Sequence, residues 1–288
     1  MNETVRLMLS LSLSGSILAG LILAAKPLIK NRVSKAFQYY IWLLVLLRLV
    51  LPFSFEESLM NRAFYSAEPP VTISSPAVVN ENQGNTSLST GLSVTDQVKT
   101  GAYNHDSDHT RYLNDSFSQV GFYVWLLGML LVLSFHLVGY ARFVSLLRQT
   151  NIPAEPDEQK LLQRLGGNNL RIKLFRNRFV STPMLVGILS PHIIIPDIEF
   201  IPEQLEYILS HELTHLRRFD MGYKWLTVVV TSLHWFNPLM VLIKREINRA
   251  GELSCDEAVI KNLSAADKQA YGETLISMVA ELLIYPAP

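Results

Sequence analysis

Residues 202–220 read PEQLEYILSHELTHLRRFD, and the helix they specify decides what the rest of the chain must do. Pro202 followed by Glu203 marks a helix start, because Pro gives up only an N–H that lacks a partner in the first turn, and an acid suits the positive end of the helix dipole. Leu205, Ile208, Leu209, Leu213 and Leu216 then recur at helical spacing. The same helix carries His211-Glu212-Leu213-Thr214-His215, the series H-E-x-x-H. Side chains at i and i+4 stand one above the other, so both imidazoles reach a single Zn²⁺ at about 2.0–2.1 Å. Glu212 leans over the metal's open position. There it could take a proton from water on the metal, which lowers that water's pKa to about 7, and would serve as general base in attack and general acid toward the leaving amine. With seven His and sixteen Glu in 288 residues, chance yields this series roughly 0.01 times per chain.

Three protein ligands are the usual complement of a catalytic zinc, and Glu252-Leu253-Ser254-Cys255-Asp256 supplies a second helical i,i+4 pair. Glu252 is the candidate third ligand, and Asp256 would hold His211 or His215 in its tautomer by hydrogen bonding. Taken alone, two carboxylates four apart read as a solvated face; beside the upstream series, Glu252 reads as a ligand and Asp256 as the partner of a ligating histidine. Cys255 has a ligand's chemistry too, but it points about 100° away from its helical neighbours and reads as a small buried core residue.

Between the two series, residues Trp225 to Ile243 form a mostly apolar run of nineteen. Had it crossed a bilayer core of about 30 Å, His215 and Glu252 would face opposite sides and share no metal. Asn237-Pro238 resolves the conflict, since Pro breaks a helix and disfavours it at the preceding residue. A helical hairpin from Leu216 to Phe236 and back from Leu239 to Glu252 is expected. Its apex residues His234 and Asn237 then need polar partners, and His234 reads as structural rather than as a metal ligand.

The composition points to a membrane. The chain is 49% hydrophobic and 17% charged, with a mean hydropathy of +0.22, against about 25% charged in soluble proteins. Zero net charge argues against direct nucleic-acid binding, and a lone cysteine excludes an intramolecular disulfide. Three transmembrane helices are expected: Val5 to Ala25, Phe37 to Phe53 and Gln119 to Tyr140. A cleaved signal peptide is disfavoured because Lys26, Lys30, Arg32 and Lys35 follow the first run and only Arg6 precedes its core. The same four basic residues place the 26–36 loop in the cytoplasm. The expected organisation is 1–53, two spans with a basic cytoplasmic loop; 54–118, a flexible extracytoplasmic loop; 119–140, the third span; and 141–288, a cytoplasmic zinc domain. The N-terminus is outside.

After Thr150 the pattern changes to an amphipathic run, Gln159 to Leu165, and short β-like pieces, Ile172–Phe175, Met184–Leu189 and His192–Ile195, punctuated by Pro183, Pro191 and Pro196. Pro beside short strands suggests edge strands. Such an edge could hold substrate as an added strand, or serve only as packing. His105-Asp106-Ser107-Asp108-His109 and the acceptor-like Asn85 and Asn114 read as features of a solvated loop.

His211 to Asp220, His234-Trp235-Phe236-Asn237-Pro238, Glu252 to Glu257 and Tyr271-Gly272-Glu273-Thr274-Leu275, in this order, resemble the BlaR/MecR-type integral-membrane zinc metallopeptidases, the β-lactam sensor-transducer family. The resemblance implies a mainly α, integral-membrane fold with a gluzincin-like zinc domain, a small β-sheet and a helical hairpin. It implies a bacterial cell membrane, with membrane lipid around the chain and the active site facing the cytoplasm. It further implies a cytosolic protein substrate, a DNA-bound transcriptional repressor, together with self-cleavage. This chain departs from that pattern by stopping at Pro288 without a C-terminal penicillin-binding domain, which leaves 54–118 as the sizeable external segment. A catalytically idle membrane receptor or scaffold is the alternative, and an intact Glu212 speaks against it.

Overall fold

The computed structural model of the chain describes residues 3–30, 32–51, 105–167, 172–188 and 190–284. Its elements are α1 (Glu3–Ile29), α2 (Lys35–Val50), α3 (His105–Thr150), β1 (Ile152–Pro153), α4 (Pro156–Gly166), β2 (Lys173–Asn177), β3 (Met184–Val186), β4 (His192–Pro196), α5 (Pro202–Arg217), α6 (Asp220–Leu233), α7 (Leu239–Ile260) and α8 (Ala265–Ile284). One compact unit comprises 1–52 and 118–288, and a second comprises 53–117.

The four-stranded sheet runs β1-β2-β4-β3, with β2 and β4 parallel and the outer pairs antiparallel. Alternation along β4 serves two neighbours at once. Ile193 and Ile195 face Leu205, Ile208, Leu209 and Leu213 of α5, while Ile194 faces Leu147 and Val144 of α3. At the end of α3 the buried Asn177 amide donates to Thr150 Oγ1 and Asn151 Oδ1, both at 2.8 Å. The Pro-flanked β4 is an inner strand, not an edge: Pro191 precedes it and Pro196 is its last residue, so neither interrupts the ladder. The short β3 does lie at an edge.

Among the described residues two helices are long and apolar enough to cross a membrane, Thr4–Ile29 and Gln119–Thr150, where three were expected. The expected second span becomes the 16-residue α2, about 24 Å long. One face of it, Tyr39, Trp42, Val45, Leu46 and Leu49, is buried with Val230 of α6 and Met240, Ile243 and Ile247 of α7. Hydropathy counts apolar side chains without distinguishing those that pack against protein from those that meet lipid. The helix that contains the expected third span, 119–140, is α3, which begins at His105 and ends at Thr150 and so takes in residues 105–118 of the expected loop. Extending an established helix needs no new nucleus, so it propagates into polar flanks. The rest of the expected loop, through Asn104, lies outside the described residues, as do the side chains of the His105–His109 series.

The hairpin forms as α6 and α7, but its first arm is not continuous with α5. Phe219 adopts φ +57, a conformation costly for a bulky residue, and the chain turns there. Its ring lies so close over Gly222 that a Cβ at that position would meet it at 2.0 Å. At the apex, Asn237 Nδ2 donates to Ser12 Oγ and Ser16 Oγ of α1, both at 2.8 Å, and its Oδ1 accepts from Leu239 N at 3.0 Å. His234 Nε2 meets the Leu49 carbonyl at 3.0 Å. Trp125 Nε1 donates to the Leu233 carbonyl, and Trp235 Nε1 returns a bond to the Trp125 carbonyl. Gly128 leaves room for the Trp235 ring.

Asn237→Ala removes both ties to α1 and the cap on α7, and is expected to destabilise the fold by about 2 kcal/mol. The measurement is the thermal midpoint of detergent-purified protein. Ser12→Ala combined with Ser16→Ala spares the cap and is expected to cost less. An unchanged midpoint for Asn237→Ala would show that the apex is held some other way.

Candidate metal centre

α5 brings His211, Glu212 and His215 to one place because its apolar stripe docks on the sheet and its other side turns toward α7 and α8. His211 Nε2 and His215 Nε2 are 3.2 Å apart. Glu252 Oε2, presented by α7, lies 3.6 Å from the first and 3.5 Å from the second. A tetrahedral zinc with ligands at about 2.0–2.1 Å separates its donor atoms by about 3.3–3.4 Å. The three donors therefore already stand at the edge lengths of such a tetrahedron, and the residues fit the metal.

The far nitrogen of each imidazole is occupied. His215 Nδ1 donates to Asp220 Oδ2 at 2.7 Å. His211 Nδ1 lies 2.8 Å from Tyr271 Oη and 3.3 Å from Asp256 Oδ1, and the Tyr271 hydroxyl donates to that carboxylate at 2.8 Å. With its proton directed at Asp256, the Tyr271 oxygen accepts from Nδ1–H. Both rings are thus held in the tautomer that leaves Nε2 bare for a cation. Of the two histidines, His211 is the one that Asp256 approaches.

Asp220 is itself held. Tyr39 Oη of α2 donates to its Oδ1 at 3.1 Å, and Arg218 Nε stands 3.6 Å from the same oxygen. The Arg218 guanidinium carbon lies 4.8 Å over the Tyr39 ring, with both terminal nitrogens buried and without a hydrogen-bond partner. The left-handed Phe219 brings Asp220 back toward His215.

Cys255 departs from the expectation. It is fully buried, as a core residue would be, but its Sγ belongs with His211 and His215 to a group whose ligand atoms all lie within 4.8 Å. Its thiol donates to the His211 carbonyl at 3.5 Å. Three residues after Glu252, Cys255 lies only about 60° from it around α7, so both are presented toward the two histidines. His234, by contrast, is engaged with Leu49 and takes no part in the centre.

The surroundings are strongly anionic. Burial opposes the charged form of both histidines. Even so, the Asp256, Cys255 and Glu252 partners hold His211 above its ordinary value, and Asp220 with Cys255 and Glu252 pushes His215 up to about 11. Hydrogen bonds from His211 and His215 keep the Glu252 carboxyl below the usual range. Burial raises Glu212, the one acid here that the histidines do not directly engage. Protons on the imidazoles and a metal cation are alternative occupants of the same negative field. The cavity at the centre has a volume of about 320 Å³ and is lined on one side by Thr182, Pro183, Met184 and Leu185, at and before β3.

The sequence offered a signal for Asp220, five positions after His215, and for Tyr271, in the Y-G-E-T-L series, but no spacing rule linked either to a particular nitrogen. Tyr39, inside the expected second span, had no signal.

The sequence model of the BlaR1 peptidase M56 family matches residues 6–286. The regulatory protein BlaR1 of Bacillus licheniformis is 24% identical over 270 residues, covering 92% of this chain and 44% of the relative. The methicillin resistance mecR1 protein of Staphylococcus aureus is 24% identical over 255 residues, covering 82% of this chain and 40% of the relative. The regulatory protein BlaR1 of Staphylococcus aureus is 21% identical, covering 90% and 43%. The chain thus spans less than half the length of these relatives.

Asp220→Asn and Tyr271→Phe are each expected to weaken zinc binding about 10–100-fold, the usual cost of losing a ligand's outer partner, read by competition with a chelating dye. Glu252→Ala is expected to lose zinc and Cys255→Ala to keep it, by elemental analysis of purified protein. The reverse pattern would transfer the third position to the thiol.

Proposed function

The chain belongs to the BlaR1 peptidase M56 family, and from that premise we propose that it is a membrane-embedded zinc metalloendopeptidase. It cuts peptide bonds at the cytoplasmic side of a bacterial membrane as a step in signal-induced regulation. The observation that carries this reading is the convergence of His211 Nε2, His215 Nε2 and Glu252 Oε2 at 3.2 to 3.6 Å beside the buried Glu212.

These three atoms would hold the metal. A bound zinc supplies Lewis acidity, activating water and polarising the scissile carbonyl. Glu212 lines the same cavity and accepts the proton of the attacking water on a carboxylate oxygen, then delivers it to the departing amine nitrogen. Asp220 and the Asp256–Tyr271 pair keep the imidazoles oriented while charge redistributes around them. The outer edge of β3, paired on its other side with β4, takes an extended substrate as an added strand.

Membrane placement is supported by α1 and by the second half of α3. The most apolar 18-residue window of α3 has no buried residue, unlike a soluble core helix. Lys26, Lys30, Arg32 and Lys35 favour the cytoplasm for the α1–α2 connection. On that side the enzyme meets cytosolic proteins and its own inner segments. The substrates in this reading are a transcriptional repressor and the enzyme's own cytoplasmic region, in keeping with relatives named as regulatory and methicillin resistance proteins.

Glu212→Gln is expected to keep zinc and fold while lowering proteolysis by about 10²–10⁴-fold, since the amide cannot accept the proton. Mass spectrometry of new peptide termini in cells carrying either form reads the substrates. Activity within a few-fold of wild type would remove Glu212 from proton transfer. For orientation, the exposed Lys268→Cys, with the fully buried Cys255 left in place, is expected to react with an impermeant thiol reagent in inverted vesicles and not in intact cells. Labelling in intact cells would reverse the topology.

A further inference from the structure

At the foot of α1 a cavity of about 340 Å³ opens between the last turns of α1, the first turns of α2 and the middle of α7. Ile22, Leu23, Ile41, Trp42 and Leu253 make its walls apolar. Its rim carries Lys26, Lys30, Lys35 and Arg249 against one acid, Glu246. Lys26 pairs with Glu246 and neutralises it. Lys35 Nζ donates to the Lys30 carbonyl at 2.9 Å, which keeps its charge at the rim. Lys30 and Arg249 are exposed, and neither makes an ion pair among the described residues.

Such a site asks for one molecule with an anionic end and an apolar end. A free inorganic anion would leave the walls unfilled, and an uncharged lipid would leave three cations unpaired. The direction from rim to walls runs along α1, whose Leu21 and Leu28 are exposed as acyl chains would require. We propose that this cavity binds an anionic phospholipid of the cytoplasmic leaflet. Its phosphate sits among Lys30, Lys35 and Arg249, and its acyl chains lie against Ile22, Leu23 and Ile41. Arg249 and Leu253 flank Glu252 on α7, so the bound lipid braces the helical turn that presents the third donor of the metal centre. The inference rests on the membrane placement proposed above.

The test uses the full chain, purified in detergent and stripped of lipid, then offered equimolar phosphatidylglycerol and phosphatidylcholine, with retained lipid counted by native mass spectrometry. Phosphatidylglycerol is expected to be preferred, and Lys30→Ala with Arg249→Ala to reduce that preference about fivefold for each cation removed. Lys244→Ala with Arg245→Ala removes the same charge from α7 outside the cavity and is expected to leave the preference intact. Equal retention of both lipids, or a preference that falls equally in both double variants, overturns the site. Displacement of the lipid by millimolar inorganic phosphate also overturns it, in favour of a free-anion site. Flotation with phosphatidylcholine vesicles separates the two readings. A chain that does not float refutes the membrane placement itself, whereas one that floats without headgroup preference refutes the lipid site alone.

Discussion

Two imidazoles can serve one cation only if each is held in the tautomer that leaves Nε2 bare, and the helices are arranged by where the two Nδ1 partners are found. α5 presents both rings but supplies neither partner. His215 finds Asp220 at the start of α6, across the left-handed Phe219. His211 finds Tyr271 on α8 and Asp256 on α7. A helix bearing H-E-x-x-H is therefore incomplete alone. The hairpin and α8 are folded around it by the need to satisfy a ring nitrogen at each position.

The same need draws in the N-terminal region. The second oxygen of Asp220 is met by Tyr39 on α2, so α2 stands two hydrogen bonds from His215. The N-terminus of α2 is in turn capped from α7. Glu257 Oε2 accepts from Lys35 N at 2.8 Å, where a carboxylate also meets the positive end of the helix dipole. Tyr39, Trp42, Val45 and Leu46 share one core with α6 and α7. The N-terminal helices and the metal centre are built on common packing, and a change in the position of α2 is felt at Asp220 without an intervening loop.

The sheet has a comparable double role. Glu158 receives the Arg176 guanidinium in a bidentate pair and also accepts from Glu155 N at the start of α4, so one buried acid ties α4 to β2. The alternating isoleucines of β4 then hold α5 on one face and the end of α3 on the other. Among the described residues this leaves β3 at the edge of the sheet beside the metal cavity.

Local pattern was enough for the helix at 202–217, the i,i+4 pairing of His211 with His215 and of Glu252 with Asp256, and the break at Asn237-Pro238. Each depends on helical periodicity or on the missing N–H of proline, and both are properties of neighbouring residues. The number of long apolar helices was not legible, because Phe37–Val50 is as apolar as a span but spends one face on α6 and α7. Nor was the turn at Phe219, where a residue that ordinarily avoids positive φ is held there by its approach to Gly222. The partners Asp220, Tyr271 and Tyr39, and the nearness of the Cys255 thiol, join residues as much as 181 positions apart. Sequence determined which residue types could bind a metal on a helix. Tertiary structure decided which nitrogen each acid faces, because that depends on the distance between helices, which no periodicity encodes.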